Sequence, residues 1–220
     1  MNEYYSGDSG QKYFRSQNEF SKRTCMLEKR KLARYIQNSD SVLEVGCGGG
    51  NLLDALDCVK KIGIEVNPHA REHARGLGLD VWMDLDEVQD SDFTVVLLHH
   101  SLEHTDDPLL IIQKCKGKLR TGGRLVCFTP FDSIRRFGSF RHEDRNQHLF
   151  TWSPQNIGNL LHRAEFLPER IVAKVYTSAI FPFWMTAPKN VFLALMQSTI
   201  MQVWAIVRGQ HQVLAIGVKE

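Results

Sequence analysis

Short apolar runs alternate along the chain with segments of mixed polarity. The runs are "SVLEV", "KIGIEV", "LDVWMD", "DFTVVLLHH" and "RLVCFTPF". Between them we predict helices over residues 51–60, 68–76 and 108–119. Alternation of apolar strands with helices is typical of parallel βαβ units, so we predict an α/β fold with a doubly wound sheet.

The two ends of the chain extend this pattern. The stretch "KRTCMLEKRKLARYI" predicts a helix before the first strand. Ser153 followed by Pro154 is a helix start signal, and we expect that helix to run to about residue 164. Strands are predicted near 171–176 and at "HQVLAIGVK". No repeat or linker divides the sequence, so we predict a single domain over residues 1–220.

Composition narrows the classes of function. A formal charge of +2 and a pI near 8.3 are mild, whereas nucleic-acid-binding domains usually have a pI above about 9. We therefore expect no nucleic-acid partner. The five cysteines form no C-x-x-C pair, so neither a disulfide framework nor a structural zinc site is indicated, and we expect a cytoplasmic protein.

An apolar segment lies near the carboxyl end of the chain. Residues 190–207 include five polar side chains and fall short of the roughly 20 apolar residues of a membrane span, so we predict an amphipathic helix instead. It belongs to a predicted helical insertion over 181–208. Four uses stay open for this insertion: a homodimer contact, packing on the subunit's own core, a cover for an apolar substrate, and a peripheral membrane contact.

The turn after the first strand carries the clearest chemical signal. It has the pattern E-x-G-x-G-x-G on Glu44, Gly46, Gly48 and Gly50, whereas a dinucleotide fingerprint would need glycine in place of Asn51. Glu65 ends the second strand, where a carboxylate can accept the two hydroxyls of a ribose. Strand, glycines and distant carboxylate together indicate a ligand that contains a nucleoside.

These segments also resemble a known family. "VLEVGCGGGNLLDAL", "IGIEVNP", "MDLDEV", "LLHHSLEHTDDP", "LRTGGRLVCFTP" and "HLFTWSPQNIGNLLHRAEF" are similar, in order, to the motifs of class I S-adenosylmethionine-dependent methyltransferases of the small-molecule branch. The resemblance implies a Rossmann-like, mostly parallel seven-stranded sheet with an antiparallel last strand. It divides the chain into an N-terminal lid and helix (1–40), a cofactor-binding core (41–180), the insertion (181–208) and a final strand (210–220).

The resemblance also implies how S-adenosylmethionine is bound. Glu44 would lie near the methionine end, and Gly46, Cys47 and Gly48 would line the cofactor. At the other end, the side chains that would surround the nucleoside come from the turns after the second and third strands. They are Glu65 on the ribose hydroxyls, Val66 against the adenine, and Asp84 with Leu85 at the adenine amine and ring.

Histidines are the main candidates for catalytic residues, and two histidines end the fourth predicted strand. His99 and His100 would lie beside the methionine portion of the cofactor. A general base is needed only where the acceptor keeps its proton until transfer. His100 and His104 are four residues apart, but no carboxylate pattern typical of a metal site accompanies them, and we expect no metal. The catalytic candidates are His100, His104, His142 and His148.

The substrate is the least constrained part of the prediction. Four arginines in the stretch "FDSIRRFGSFRHEDRNQHLF" would suit an anionic group on the acceptor, and the nearby phenylalanines would suit an apolar one. We therefore predict methyl transfer to a small molecule that is anionic or partly apolar. The alternatives are an inactive cofactor-binding partner protein and a nicotinamide oxidoreductase, and Asn51 counts against the latter.

Overall fold

One seven-stranded sheet forms the centre of the molecule. The computed structural model describes residues 5–131, 147–175, 200, 203 and 211–220. Within that part of the chain the strand order is β3-β2-β1-β4-β5-β7-β6. The strands are β1 (Ser41–Val45), β2 (Lys60–Ile64), β3 (Asp80–Trp82), β4 (Phe93–His99), β5 (Leu119–Phe131), β6 (Leu167–Val175) and β7 (His211–Val218).

The pairing confirms the predicted fold class. β1 to β5 pair in parallel, and β7 inserts antiparallel between β5 and β6. The first strand, β1, pairs with β2 on one side and with β4 on the other. The chain therefore reverses its winding direction at the carboxyl ends of β1 and β4, which is where open α/β sheets bind ligands.

The helices cover both faces of this sheet. They are α1 (Gly7–Leu32), α2 (Asn51–Ala55), α3 (Pro68–Gly76), α4 (Pro108–Lys118) and α5 (Pro154–Arg163). α1 begins well before the predicted start, because its first half is largely polar and gives no apolar periodicity. α2 is shorter than predicted, because the backbone is already extended at Leu56.

The core consists of two apolar layers separated by the sheet. Successive side chains of a strand point to opposite faces, so β4 supplies both layers. Val96 and Leu98 lie in the layer that includes Ile112 of α4, while Leu97 lies in the layer that includes Leu32 of α1. Because both faces of β4 are buried, its sequence is a continuous apolar run and not an alternating one.

Helix caps explain two of the starts near the sheet's carboxyl edge. Ser153 and Asn156 exchange hydrogen bonds in a capping box, which confirms the predicted start of α5. Asn67 caps α3, since its Oδ1 accepts hydrogen bonds from the amides of His69 and Ala70. Among the described residues, no helix has the length and apolar character needed to cross a membrane.

Candidate active site

The turn after β1 forms the floor of the site. The amides of Gly46 and Cys47 both donate to the carbonyl of Ile64 on β2, at 2.8 and 3.0 Å. Gly46 and Gly48 have φ angles of +79° and +55°, which side chains disfavour. A Cβ on Gly46 would lie 2.5 Å from the Cβ of Ser101, whereas a Cβ on Gly48 would meet nothing within 4 Å. Gly48 therefore faces open space in which a ligand can approach the backbone.

Glu65 connects this turn to the start of α3. Its two carboxylate oxygens accept hydrogen bonds from the amides of Gly48, at 2.8 Å, and Asn67, at 2.7 Å. Burial raises the pKa of this carboxyl, and the same two amides oppose the shift. Each carboxylate oxygen can accept more than one hydrogen bond. Glu65 thus has the position and the acceptor capacity for the predicted ribose contact.

Within the described residues, Glu44 is a buried carboxylate that lacks a full set of partners. It is 2% exposed, and its Oε2 makes no hydrogen bond within the described residues. Burial, reinforced by the negative charge of Glu65, raises its pKa to about 8. An incompletely paired buried carboxylate is costly, so a cationic ligand group nearby would stabilise it. The ammonium and sulfonium charges of S-adenosylmethionine meet that requirement, and the residues at this turn fit that cofactor.

The predicted adenine contacts lie at the turn after β3. Asp84 caps the 3-10 turn Leu85–Glu87, since its Oδ1 accepts from the amide of Asp86 at 2.9 Å. That hydrogen bond is the main reason why the pKa of Asp84 is lowered. Leu85 is buried, whereas Val66 is 42% exposed and presents an apolar surface beside Glu65. An exposed valine at this position is suited to cover an aromatic ring.

The first half of α1 passes directly over the glycine turn. Asn18 accepts a hydrogen bond from the side-chain amide of Asn51 at 2.6 Å, and Asn67 donates to the carbonyl of Gly10 at 2.9 Å. The ring of Phe14 would lie 3.1 Å from a Cβ built on Gly49. Sequence reasoning gave this region only as an N-terminal lid and helix and did not identify Asn18, because its partner Asn51 is distant in the sequence.

The side chain of His99, at the end of β4, contacts two largely buried charged residues of α1. Its Nε2 lies 2.9 Å from Oε2 of Glu28 and 3.0 Å from Nζ of Lys31, and Lys31 also forms an ion pair with Glu28. Burial, together with the charge of Lys31, lowers the pKa of His99 to about 4. Its imidazole is thus neutral, and its Nε2 already contacts residues of α1. The predicted contact with the methionine portion would therefore come from the main chain of His99. No sequence pattern indicated Glu28 or Lys31.

His100 is held in a fixed orientation at the end of β4. It has a φ of +56°, and its amide donates to the carbonyl of Phe128 at 2.8 Å. Its Nε2 lies 2.9 Å from Nε2 of Gln212, and its Nδ1 lies 3.5 Å from Oε1 of Glu103. A glutamine amide nitrogen only donates, which assigns the imidazole proton to Nδ1. Both ring nitrogens are therefore engaged.

Glu103, His104 and His148 converge next to His100. The rings of His104 and His148 are 5.0 Å apart, and Nδ1 of His104 lies 3.2 Å from the hydroxyl of Tyr5. Burial lowers the pKa of His104. Burial opposes ionisation of Glu103, but the neighbouring imidazoles outweigh it and lower the pKa of that carboxyl. Three of the four catalytic candidates are thus brought together at one edge of the sheet.

Several residues predicted for the site lie outside the part of the chain that the structure describes. The fourth candidate, His142, and the arginines of the same stretch lie outside the described residues. Most of the predicted insertion over 181–208 lies outside them as well. The substrate contacts inferred from these segments stay predictions.

Comparison with known proteins identifies the family. The sequence profile of a family described as "Methyltransferase domain" matches residues 16–169, which is more than half of the chain. The chain belongs to the methyltransferase domain family. Membership confirms the resemblance to class I S-adenosylmethionine-dependent methyltransferases that the motifs carried, and S-adenosylmethionine is the cofactor of that class.

Named relatives of this methyltransferase domain cover only part of it. The ubiquinone biosynthesis O-methyltransferase of Haemophilus ducreyi is 36% identical over 112 residues, which are 44% of this chain and 48% of that protein. An uncharacterized methyltransferase of Schizosaccharomyces pombe is 30% identical over 104 residues, or 41% of this chain and 40% of that protein. The chain spans about half the length of the curated relatives it matches.

Solved structures support the fold of the methyltransferase domain. An S-adenosylmethionine-dependent methyltransferase from Thermotoga maritima superposes with a TM-score of 0.66 at 17% identity, covering 94% of this chain and 98% of the other. A phosphoethanolamine N-methyltransferase from Haemonchus contortus in complex with S-adenosylmethionine gives a TM-score of 0.57 at 14% identity, covering 86% and 51%. At such identities the likeness concerns the fold alone.

Proposed function

We propose that this methyltransferase domain transfers a methyl group from S-adenosylmethionine to a small-molecule acceptor. The observation that carries the proposal is the glycine turn after β1, where Gly48 faces open space, its amide donates to Glu65, and Glu44 and Glu65 are both buried. Two buried carboxylates and an open stretch of backbone suit a ligand that carries both cationic groups and ribose hydroxyls.

The cofactor supplies an electrophilic methyl group attached to a sulfonium sulfur. The chain's own part is to hold and orient. Glu44 would balance the positive charge of the methionine end, and Gly46, Cys47 and Gly48 would line it. At the nucleoside end the residues would bind the ribose and enclose the adenine; they are Glu65, Val66, Asp84 and Leu85. Positioning of donor and acceptor in line is the main requirement of such a displacement.

The acceptor would approach from the side of His100, His104 and His148. These histidines lie at the carboxyl end of β4, next to the turn that would hold the methionine end, since Ser101 packs against Gly46. Tyr5, which precedes α1, contacts His104, so the amino-terminal segment would close over both ligands. This position supports a contact of His104 and His148 with the acceptor, whereas both ring nitrogens of His100 already have protein partners.

The proposed class of acceptor rests on the amino-acid types of two segments that lie outside the described residues. The arginines near residues 135–145 support an anionic group, and the apolar insertion over 181–208 supports a partly apolar one. The relative from Haemophilus ducreyi is named for O-methylation in ubiquinone biosynthesis, which agrees with an apolar acceptor that carries a hydroxyl. A homodimer or a membrane-surface contact through 181–208 belongs to the same proposal.

The proposed cellular location, the cytoplasm, rests on the free state of the five cysteines. All five are free thiols, and those at positions 47, 115 and 127 are buried. Burial raises the pKa of Cys115 to about 12, so this thiol is unreactive at neutral pH. Five thiols without a disulfide are typical of a reducing compartment, which supports the cytoplasm.

Turnover with labelled cofactor tests the proposal. The full chain would be incubated with methyl-labelled S-adenosylmethionine and a panel containing a hydroxylated aromatic acid, a prenylated phenol, a prenyl diphosphate and a primary amine. We expect formation of S-adenosylhomocysteine with at least one anionic or apolar acceptor. Tight cofactor binding without turnover on any of them would favour the inactive partner protein instead.

A further inference from the structure

A set of metal-type ligands lies at the carboxyl end of β4. Glu103 and His104 belong to the 3-10 turn Leu102–His104, and His148 comes from the segment that precedes α5. One ligand atom from each of the three lies within 4.8 Å of the others. Two separate segments of the chain are therefore folded so that two imidazoles and one carboxylate face a common point.

Glu103 supplies an independent indication that this point binds a cation. The residue is 1% exposed, and its Oε2 makes no hydrogen bond within the described residues. Its Oε1 lies 3.5 Å from Nδ1 of His100, so within the described residues the carboxylate has a partner at one oxygen and none at the other. A buried carboxylate oxygen without a partner is costly, and a bound cation would remove that cost.

We propose that Glu103, His104 and His148 bind a divalent first-row transition ion such as Zn²⁺, Mn²⁺ or Co²⁺. Two histidines and one carboxylate are a donor set that such ions accept, and the set leaves coordination positions open for a further ligand. Nδ1 of His104 lies 3.2 Å from the hydroxyl of Tyr5 and 3.4 Å from the carbonyl of Gln147, and outer contacts of this kind orient ligating histidines. This proposal replaces our sequence-based expectation of no metal.

The position of the ion would define the acceptor class, an inference that rests on the proposed function. Glu103 follows Ser101, which packs against Gly46 in the cofactor turn. A cation at this point would bind a hydroxyl oxygen of the acceptor and favour its deprotonation. In the transfer, the oxygen–methyl bond forms and the sulfur–methyl bond breaks with its electrons retained by sulfur. The hydroxyl proton passes to water.

Titration with Co²⁺ alone tests the site without any turnover. The full chain, untagged and treated with a chelator, would be followed by calorimetry and by visible absorption. We expect one equivalent of Co²⁺ to bind. Glu103→Gln and His148→Ala should each weaken that binding by at least about tenfold, the loss typical even of outer ligands. His162→Ala, on an exposed position of α5, is the matched control and should bind Co²⁺ as the parent does.

Two results would overturn the site. One is a parent protein that binds no Co²⁺, and the other is parent-like affinity in both ligand variants. The same samples would be titrated with S-adenosylhomocysteine to establish that the variants are folded. If Glu103→Gln binds neither Co²⁺ nor S-adenosylhomocysteine, the Co²⁺ affinity of His148→Ala decides whether the metal site exists. A parent protein that binds Co²⁺ but no S-adenosylhomocysteine would contradict the proposed function and leave the metal site supported.

Discussion

Three buried carboxylates differ in what surrounds them, and that difference suggests three roles. In the part of the chain that the structure describes, Glu65 has two amide donors, Glu44 has an oxygen without a partner, and Glu103 lies among imidazoles. The charged form is favoured in Glu103, whereas burial raises the pKa of the other two. Equal burial therefore does not mean equal chemistry, because the partners decide the charge state.

Removal of the Glu65 side chain should weaken cofactor binding. Glu65→Ala deletes the proposed ribose acceptors and releases the amide of Gly48. We expect a loss of about 1.5 to 3 kcal/mol, which is roughly tenfold or more in the Kd for S-adenosylhomocysteine. Calorimetry on Glu65→Ala measures it, and Glu169→Ala, an exposed glutamate on β6, is the control. An unchanged Kd would remove Glu65 from the binding site.

A side chain at Gly48 should block the cofactor without loss of the fold. The Cβ would point into open space, so the cost to the apo protein is that of the φ of +55°. Gly78 has a φ of +85° and equally open surroundings, but lies after α3. We expect Gly48→Val to abolish S-adenosylhomocysteine binding and Gly78→Val to retain it, with both variants unfolding cooperatively in urea. Equal binding by the two variants would make the turn purely structural.

Glu44 should make the stability of the apo protein depend on pH. Its pKa rises from an ordinary 4.5 to about 8 in the folded state. The stability that the neutral carboxyl contributes is therefore full below about 4.5, declines as the pH rises, and is lost above about 8. Glu44→Gln remains neutral, so at pH 8.5 it should be more stable than the parent by on the order of 1 to 3 kcal/mol.

Urea denaturation at pH 5 and pH 8.5 measures this difference. The gap between Glu44→Gln and the parent should be small at pH 5 and grow toward pH 8.5, because only the parent changes its charge. Glu169→Gln, which changes an exposed carboxyl, should show no such growth. A gap of the same size at both pH values would mean that Glu44 is already ionised at pH 5.

At the scale of elements, the first half of α1 covers the glycine turn, and we expect it to affect cofactor exchange. Phe14 lies over the glycine turn, and its ring centroid is 5.6 Å from that of His73. Loss of an aromatic pair costs about 0.5 to 1.5 kcal/mol. Phe14→Ala should therefore release S-adenosylhomocysteine faster by a few-fold in stopped-flow displacement. Phe20→Ala, at a 44% exposed position of the same helix, should not.

That experiment decides whether α1 acts as a lid. Parent-like release by Phe14→Ala would mean that the helix only packs against the core.

The sequence predicted the strands and α3 well, because buried strands and Pro-capped helix starts are local signals. It missed the first half of α1, whose contacts with Asn51 and Asn67 are made over long sequence distances. Polar contacts of that kind leave no periodic trace.

At the scale of the whole molecule, topology carried most of what could be predicted about the site. Parallel strands bring the residues at and just after the ends of β1, β2, β3 and β4 to one edge. Glu44, Glu65, Asp84 and His100 could therefore be grouped from sequence alone. Contributions from the end of the chain, such as Gln212 beside His100, depend on β7 inserting between β5 and β6. No local pattern specifies that insertion.

Calorimetric titration of the full chain with S-adenosylhomocysteine, with NAD⁺ as comparison, tests the central claim most directly. A site built from bare backbone between Glu44 and Glu65 should bind one equivalent of S-adenosylhomocysteine per chain. It should bind NAD⁺ at least about a hundredfold more weakly, because Asn51 breaks the dinucleotide fingerprint. Equal affinity for the two, or no binding of S-adenosylhomocysteine, would contradict the account.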